Sequence, residues 1–300
     1  MRILLLGKSG QLGWELQRSL APLGQVIAPG RDDVQAGGDL TQLDALAAAV
    51  RGYAPQLIVN AAAYTAVDKA QSQPELARRV NALAPGVLAC EAERLGAWLV
   101  HYSSDYVFDG SGDRPWRESD APAPVNVYGQ TKLEGERAVQ AGCSRHLIWR
   151  TSWVYAARGA NFARTMLRLA AEREELRVVK DQMGAPTGAD LLADLTALAL
   201  QQVGRCADLS GLYHVSASGQ TSWHGYACHV IEQARRLRPD RALRVRRIEA
   251  VPSSEFASPA QRPLNSRLDN ARFCAAFGLS LPPWQQGVDR MLAEILEARP

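Results

Sequence analysis

Tyr128 and Lys132 stand four residues apart, and Ser103 and Ser104 close an apolar run some twenty-odd residues before them. On a helix, positions i and i+4 share a face, so the phenol and the ammonium point the same way. A free tyrosine titrates near about 10 and a lysine near about 10.4, and an ammonium beside a phenol favours the phenolate, so the spacing predicts a lowered Tyr128 pKa. A serine hydroxyl can donate to a carbonyl oxygen. These three groups suit a carbonyl whose oxygen takes a proton while its carbon takes a hydride. Ser104 is the expected donor, with Ser103 facing the sheet or closing the strand. Alone, a Tyr-x-x-x-Lys pair is a common accident of surface helices. It gains meaning from what opens the chain.

The opening is Gly7-Lys8-Ser9-Gly10-Gln11-Leu12-Gly13, after the apolar run Ile3 to Leu6 and before Leu12, Leu16 and Leu20 at helical spacing. Glycines let a strand turn sharply into a helix and bring the backbone against a pyrophosphate, which the helix N-terminus attracts. Gly7, Gly10, Gln11, Leu12 and Gly13 are therefore expected to hold a dinucleotide. An NAD-specific site carries an acid after the second strand, but the chain reads Ala28-Pro29-Gly30-Arg31 there. Arg31 or Lys8 could pair with a 2′-phosphate, which favours NADPH. Asp39, with Leu40 beside it, is positioned for the adenine. The small residues Ala61, Ala62 and Ala63, with Tyr64, would let the ribose and nicotinamide lie close to the backbone, and Lys132 can hold the ribose hydroxyls.

Positioning these groups requires strand–helix alternation, and the sequence shows it. Strands are expected at 3–6, 26–28, 56–63, 97–103 and 146–150, with the end of a short strand at Gly37 to Leu40. Helices are expected at 41–51, at 75–95 with an interruption near Pro85, and at 126–140. The pattern is α/β: a Rossmann-like, doubly wound parallel sheet. Later come helices at 162–174 and 189–203, a short strand at 176–179, one more central strand at Gly211 to Val215, and a helix capped by Thr221 or Ser222. A proline-rich stretch from Val251 to Leu264 and helices near 270–277 and 284–297 complete the chain. The reading assigns 1–150, with parts of 176–218, to an NADP-binding domain. It assigns 151–175 and 219–300 to a smaller C-terminal α+β substrate-binding lobe.

The chain has 300 residues, is 47% apolar and carries a net charge of only +3, enough for a sizeable core and no argument for nucleic acid or membrane. Its arginine-rich stretch, Arg235 to Arg247, reads as a solvated face or an anion-holding patch. The five cysteines, Cys90, Cys143, Cys206, Cys228 and Cys274, form no framework and read as buried thiols in a reducing compartment, hence a cytoplasmic protein. Neither a leader nor a membrane span is expected. The histidines lack metal-ligand spacing, and His101 reads as a core residue. Gly-x-Ser-x-Gly and the phosphate-loop motif are absent.

Several segments together resemble the extended short-chain dehydrogenase/reductase family, and within it the dTDP-4-dehydrorhamnose reductases. They are Val59 to Ala70, His101 to Phe108, Asn126 to Leu133, Arg150 to Tyr155, Asp181 to Gly188 and Arg262 to Leu268. The resemblance implies reduction of the 4-keto group of dTDP-4-dehydro-β-L-rhamnose, the last step of dTDP-L-rhamnose synthesis, which feeds lipopolysaccharide and O-antigen. It implies a catalytic trio of Ser104, Tyr128 and Lys132, serine replacing a common threonine, with NADPH and often NADH accepted. It implies a substrate pocket of Val67, Ser104, Asp105, Tyr106, Tyr128 and Trp153 near the sugar, with Gln182, Met183 and Trp223 near the nucleotide and Arg262 on the diphosphate. Some members are similar to a Mg²⁺-bridged homodimer. Here the metal-ligand regions hold Glu15, Asp190 and Glu294, with Asp190 shorter than the usual glutamate, and such a Mg²⁺ would be structural. Two other readings stay open: a nucleotide-sugar epimerase or dehydratase using Asp105, and a non-catalytic NADP-binding regulatory subunit.

Overall fold

A computed structural model describes residues 1–203 and 207–297. Six strands form one parallel sheet: β1 (Arg2–Leu6), β2 (Gln25–Ile27), β3 (Leu57–Asn60), β4 (Trp98–Ser104), β5 (His146–Thr151) and β6 (Gly211–His214). Their order is β6-β5-β4-β3-β1-β2. Helices α1 (Gln11–Leu20), α2 (Leu43–Tyr53), α3 (Ala84–Leu95) and α4 (Val127–Gly142) follow β1 to β4 in turn. Later helices are α5 (Phe162–Glu172), α6 (Ala189–Val203), α7 (Trp223–Leu237), α8 (Ala271–Phe277) and α9 (Trp284–Glu297).

Successive residues of a strand face opposite sides, and here both sides are covered, so the strands read as unbroken apolar runs. Ile3, Leu5, Val59, Val100 and Trp149 pack against α1, α6 and α8. Leu4, Leu6, Ile58, Leu99 and Ile148 pack against α2, α3 and α4. The strand order reverses at β1, and such a reversal opens a crevice at the carboxyl ends of the strands.

The expected α/β fold is thus observed, with local corrections. Of the strand end and turn expected at Gly37 to Leu40 only the turn forms: Gly37 has φ +75°, and a Cβ on Gly38 would overlap the Gly30 carbonyl. β6 lies at the sheet's edge and not its centre, where Tyr213 packs on Phe273 and Phe277 of α8. The break before Pro85 is a π-helical turn over Arg79–Leu83.

The rest of the chain gathers around a second cluster of Tyr155, Leu167, Tyr226, Trp284, Val288 and Leu292. Three two-stranded ribbons border it: Glu175–Val179 beside Arg247–Val251, Met183–Gly184 beside Thr221–Ser222, and Val154–Tyr155 beside Thr187–Gly188. Ser222 caps α7, its hydroxyl accepting from the Gly225 N–H at 3.0 Å. Of the thiols read as buried, Cys143 is buried, Cys90 is exposed and Cys228 and Cys274 are intermediate; Cys206 lies outside the described residues. Arg238 and Arg247 pair locally with Asp240 and Glu175, a solvated face. Among the described residues no helix is long and apolar enough to cross a membrane.

Candidate active site

A cavity of about 680 Å³ opens at the carboxyl ends of β1, β3 and β4. At one end lies the glycine turn. Gly7 has φ +87°, and a Cβ there would stand 2.7 Å from the Ala62 nitrogen. A Cβ on Gly13 would overlap the Gly7 carbonyl, so Gly13 closes the turn from behind and does not line the cavity. Gly10 starts α1 without a side-chain cap and no acid lies in the first turn. By contrast, Asn126, Asn161 and Ser222 cap α4, α5 and α7. The uncapped N–H groups of α1 open on the cavity and suit an anion. Gly7, Gly10, Gln11, Leu12, Arg31, Asp39, Leu40, Ala61, Ala62, Ala63 and Tyr64 all line it, as does Lys8. The residues present therefore fit a dinucleotide.

At the other end stand Ser104, Asp105, Tyr106, Tyr128, Lys132 and Trp153. Tyr128 and Lys132 share one face of α4, and Ser104 ends β4 beside them. The Lys132 Nζ is buried and donates to the Tyr102 carbonyl at 2.5 Å. Burial pushes its ammonium down to about 8, with Glu136 one turn further along α4 acting to raise it. Burial pushes the Tyr128 phenol up, against a smaller downward pull from Ser104. The lowered phenol pKa expected from the Tyr-x-x-x-Lys spacing does not follow: burial raises it, and Asp105 and Tyr106 raise it further. A phenol held neutral is a proton donor.

The Ser104 hydroxyl donates to Asp105 Oδ1 at 2.9 Å and accepts from the Tyr106 N–H at 3.1 Å. Burial pushes the Asp105 carboxyl up to about 6, while Ser266, Ser104 and Ser152 pull it back. Ser103, expected to face the sheet or close the strand, also lines the cavity, and its buried hydroxyl has no partner among the described residues. Tyr102, Thr151, Val154, Leu76 and Val80 also line the cavity and were not foreseen. Tyr102 sits inside β4, where it reads only as core.

Val67, Trp153, Trp223 and Arg262 line the cavity as expected. Trp153 and Trp223 stack at 3.6 Å between ring centres and 13° between planes. Trp153 has φ +48°, a left-handed conformation unusual for a bulky residue, and its ring packs where a Cβ on Gly184 would stand at 2.6 Å. Arg262 pairs with Asp68 at 2.8 Å and reaches the Tyr106 hydroxyl at 3.4 Å. Gln182 and Met183 do not line the cavity. The Gln182 amide oxygen accepts from the Trp223 indole N–H at 3.1 Å, and the Met183 backbone is tied to Leu264 and Ser266.

The three acids read as metal ligands do come near one another, since Asp190 and Glu294 both push the Glu15 carboxyl up, behind the larger effect of burial. Asp190 is paired with Arg290 at 3.3 Å and Glu15 with Arg18 at 3.6 Å. Among the described residues no three His, Cys, Asp or Glu side chains are grouped to hold a metal.

A family model described as the RmlD substrate binding domain matches residues 1–297. The dTDP-4-dehydrorhamnose reductase of Escherichia coli (strain K12) is 55% identical over 295 residues, 98% of each chain. Among solved structures, a dTDP-4-dehydrorhamnose reductase of Clostridium acetobutylicum superposes with a TM-score of 0.88 at 34% identity, covering 98% of this chain and 99% of that one. One from Bacillus anthracis, solved in complex with NADP, gives 0.86 at 33% identity with the same coverage.

Proposed function

The chain belongs to the RmlD family of dTDP-4-dehydrorhamnose reductases, and from that membership we infer that it reduces the 4-keto group of dTDP-4-dehydro-β-L-rhamnose to give dTDP-β-L-rhamnose. The observation that carries the reading is the convergence on one cavity of an uncapped helix N-terminus, a buried ammonium, a neutral phenol and a serine hydroxyl. NADPH supplies the hydride when bound, Arg31 and Lys8 standing where its 2′-phosphate would be held. Tyr128 gives its proton to the C4 oxygen as negative charge develops there. Ser104 donates a hydrogen bond to the same oxygen, which stabilises that charge. Lys132, anchored on the Tyr102 carbonyl, holds ribose hydroxyls and keeps positive charge near the phenol. Trp153 and Trp223 offer apolar faces to the sugar nucleotide, and Val67, Tyr106 and Arg262 also line the cavity toward it.

The test is oxidation of NADPH and NADH by purified protein with dTDP-4-dehydro-L-rhamnose, with and without EDTA. Turnover with the keto sugar nucleotide, faster with NADPH and unchanged by EDTA, is expected. An epimerase would instead retain its cofactor oxidised and consume none; absence of cofactor consumption would sink the reductase reading.

A further inference from the structure

Trp14 is a large apolar ring left 45% exposed on α1, three residues after Gln11. The Arg158 guanidinium lies over it, 3.7 Å from the ring centre. Arg158 belongs to the loop Ala156 to Asn161. That loop follows the cavity residues Trp153 and Val154, is exposed from Arg158 to Ala160, and leads into α5. It touches α1 twice more. The Asn161 Nδ2 donates to the Gln11 Oε1 at 3.2 Å. Gly159, at φ +81°, packs on the Gln11 side chain, where a Cβ would stand 3.3 Å from its Cγ.

The loop is tied to itself as well. The Asn161 Nδ2 also donates to the Ala156 carbonyl at 2.6 Å, and its Oδ1 accepts from the Arg164 N–H at 3.1 Å. The Arg164 Nε donates to the Ala157 carbonyl at 2.8 Å. A shift of Gln11 or Trp14 is therefore carried to both ends of the loop. Upstream of the loop stands Trp153, stacked on Trp223. Gln11 is the first residue of α1, among the uncapped N–H groups that suit a pyrophosphate. The loop thus connects the cofactor's anion site with the aromatic wall facing the sugar nucleotide.

We propose that Arg158 and Trp14 form a clip that couples the two ends of the cavity. NADPH bound on α1 holds the loop Ala156 to Asn161, and the loop holds Trp153 for the sugar nucleotide. Neither Arg158 nor Trp14 lines the cavity, so both are positioning residues. The first ligand orders the loop, the second then binds more tightly, and the effect is reciprocal. The proposal rests on the reductase reading. An exposed cation–π contact is worth about 2- to 5-fold in an equilibrium constant.

The experiment titrates dTDP into the full-length protein by calorimetry, with and without saturating NADP⁺. The proteins are the wild type, Arg158→Ala, Arg158→Lys, Trp14→Leu and the Arg158→Ala, Trp14→Leu double variant. Wild type should bind dTDP about 10-fold more tightly when NADP⁺ is present. Arg158→Ala and Trp14→Leu should each shrink that factor by about 2- to 5-fold, with the affinity for NADP⁺ alone nearly unchanged. The double variant should lose no more than either single one, and Arg158→Lys, which keeps a cation over the ring, should recover most of the factor. In turnover, Arg158→Ala should raise KM for the keto sugar nucleotide and keep kcat. NADP⁺ should slow hydrogen exchange across 156–161 in the wild type, and less so in Arg158→Ala. A dTDP affinity indifferent to NADP⁺ in the wild type, or a factor unchanged in both single variants, overturns the proposal. A lower melting temperature with that factor unchanged makes the pair a surface packing contact and overturns it too. If dTDP does not bind or the keto sugar nucleotide is not turned over, the reductase reading fails separately. Exchange then decides the clip: equal protection by NADP⁺ in the wild type and Arg158→Ala overturns it.

Discussion

Behind Lys132 lies a buried ion pair whose disruption should change stability and pH dependence together. Arg150 Nε and Nη2 bond Glu136 Oε1 and Oε2 at 2.8 and 2.7 Å, with side-chain exposures of 4% and 1%. The guanidinium also lies 4.9 Å from the Phe108 ring centre. His214 stands beside it, and burial, with Arg150, holds that imidazole down to about 3, so it is neutral. Glu136 is thus the anion set against two buried cations, Arg150 and Lys132. Breaking a buried pair on one side costs about 3–5 kcal/mol, because a charge is left without compensation. Glu136→Gln keeps one acceptor for Arg150, so the low end applies, about 3 kcal/mol. At about 2–4 °C per kcal/mol, the melting temperature should fall by about 6–12 °C. Removing both charges with Glu136→Leu and Arg150→Met should restore most of the loss. On the kinetic side, Glu136 acts to raise the Lys132 pKa against burial. Without it the ammonium loses its proton more readily, and the alkaline limb of kcat/KM near pH 8 should move down. Arg150→Met leaves Glu136 uncompensated and should move that limb up. Thermal melts and a kcat/KM–pH series on the three variants check this. A drop below about 2 °C, less than 1 kcal/mol, or limbs moving the same way, would refute the reasoning.

Tyr128→Phe should lower kcat by about 10²-fold or more while NADPH still binds, by fluorescence titration; near-wild-type turnover would reject the phenol as proton donor. Gly13→Ala drives a methyl into the Gly7 carbonyl, and overpacking of about 1–3 kcal/mol should weaken NADPH binding by about 10- to 100-fold; an unchanged titration would show that the turn can shift without harm. Asp105→Asn should stabilise the protein at neutral pH. The folded carboxyl keeps its proton up to about 6 and the unfolded one only to 3.8. Between these values the folded state binds more protons, so stability falls as pH rises through the window, by about 3 kcal/mol in all. Denaturant titrations at pH 4 and 7 should show that decline in the wild type and lose it in Asp105→Asn; equal slopes would place the burial cost elsewhere.

The sheet and its glycine turn were legible because each is written locally. Ile3 to Leu6, Leu57 to Val59 and Leu99 to Val100 are apolar runs that only a doubly covered strand produces. The glycine turn shows in its spacing within seven residues, and Gly13 meets the Gly7 carbonyl inside that span. Tyr128, Lys132 and Ser104 were found because helix period and strand end fix their directions. What escaped depends on contacts distant in sequence. Gln182 was read as touching nucleotide, yet its amide orients the Trp223 indole across 41 residues. Arg262 lines the cavity as expected, but its pairing with Asp68, 194 residues away, could not be read locally. Glu15, Asp190 and Glu294 approach one another, but arginines already compensate two of them. Pro85 hinted that its helix deforms, but not that the turn before it is π-helical.

The same limit explains the reversed sign at Tyr128. Spacing reveals that a cation is near the phenol, and a cation alone would lower its pKa. Spacing says nothing about loss of solvent, whose effect is the largest on both groups. Desolvation raises the phenol and lowers the ammonium, drawing each toward its neutral form. For alcohol oxidation this would be a handicap, because the phenol would have to start as a base. For ketone reduction it is the required starting state: the proton is present before hydride arrives. The phenolate left afterwards is a strong base in that setting, so regaining a proton is downhill. Burial around Tyr128 therefore keeps the phenol protonated, the form in which it can give a proton to a ketone oxygen.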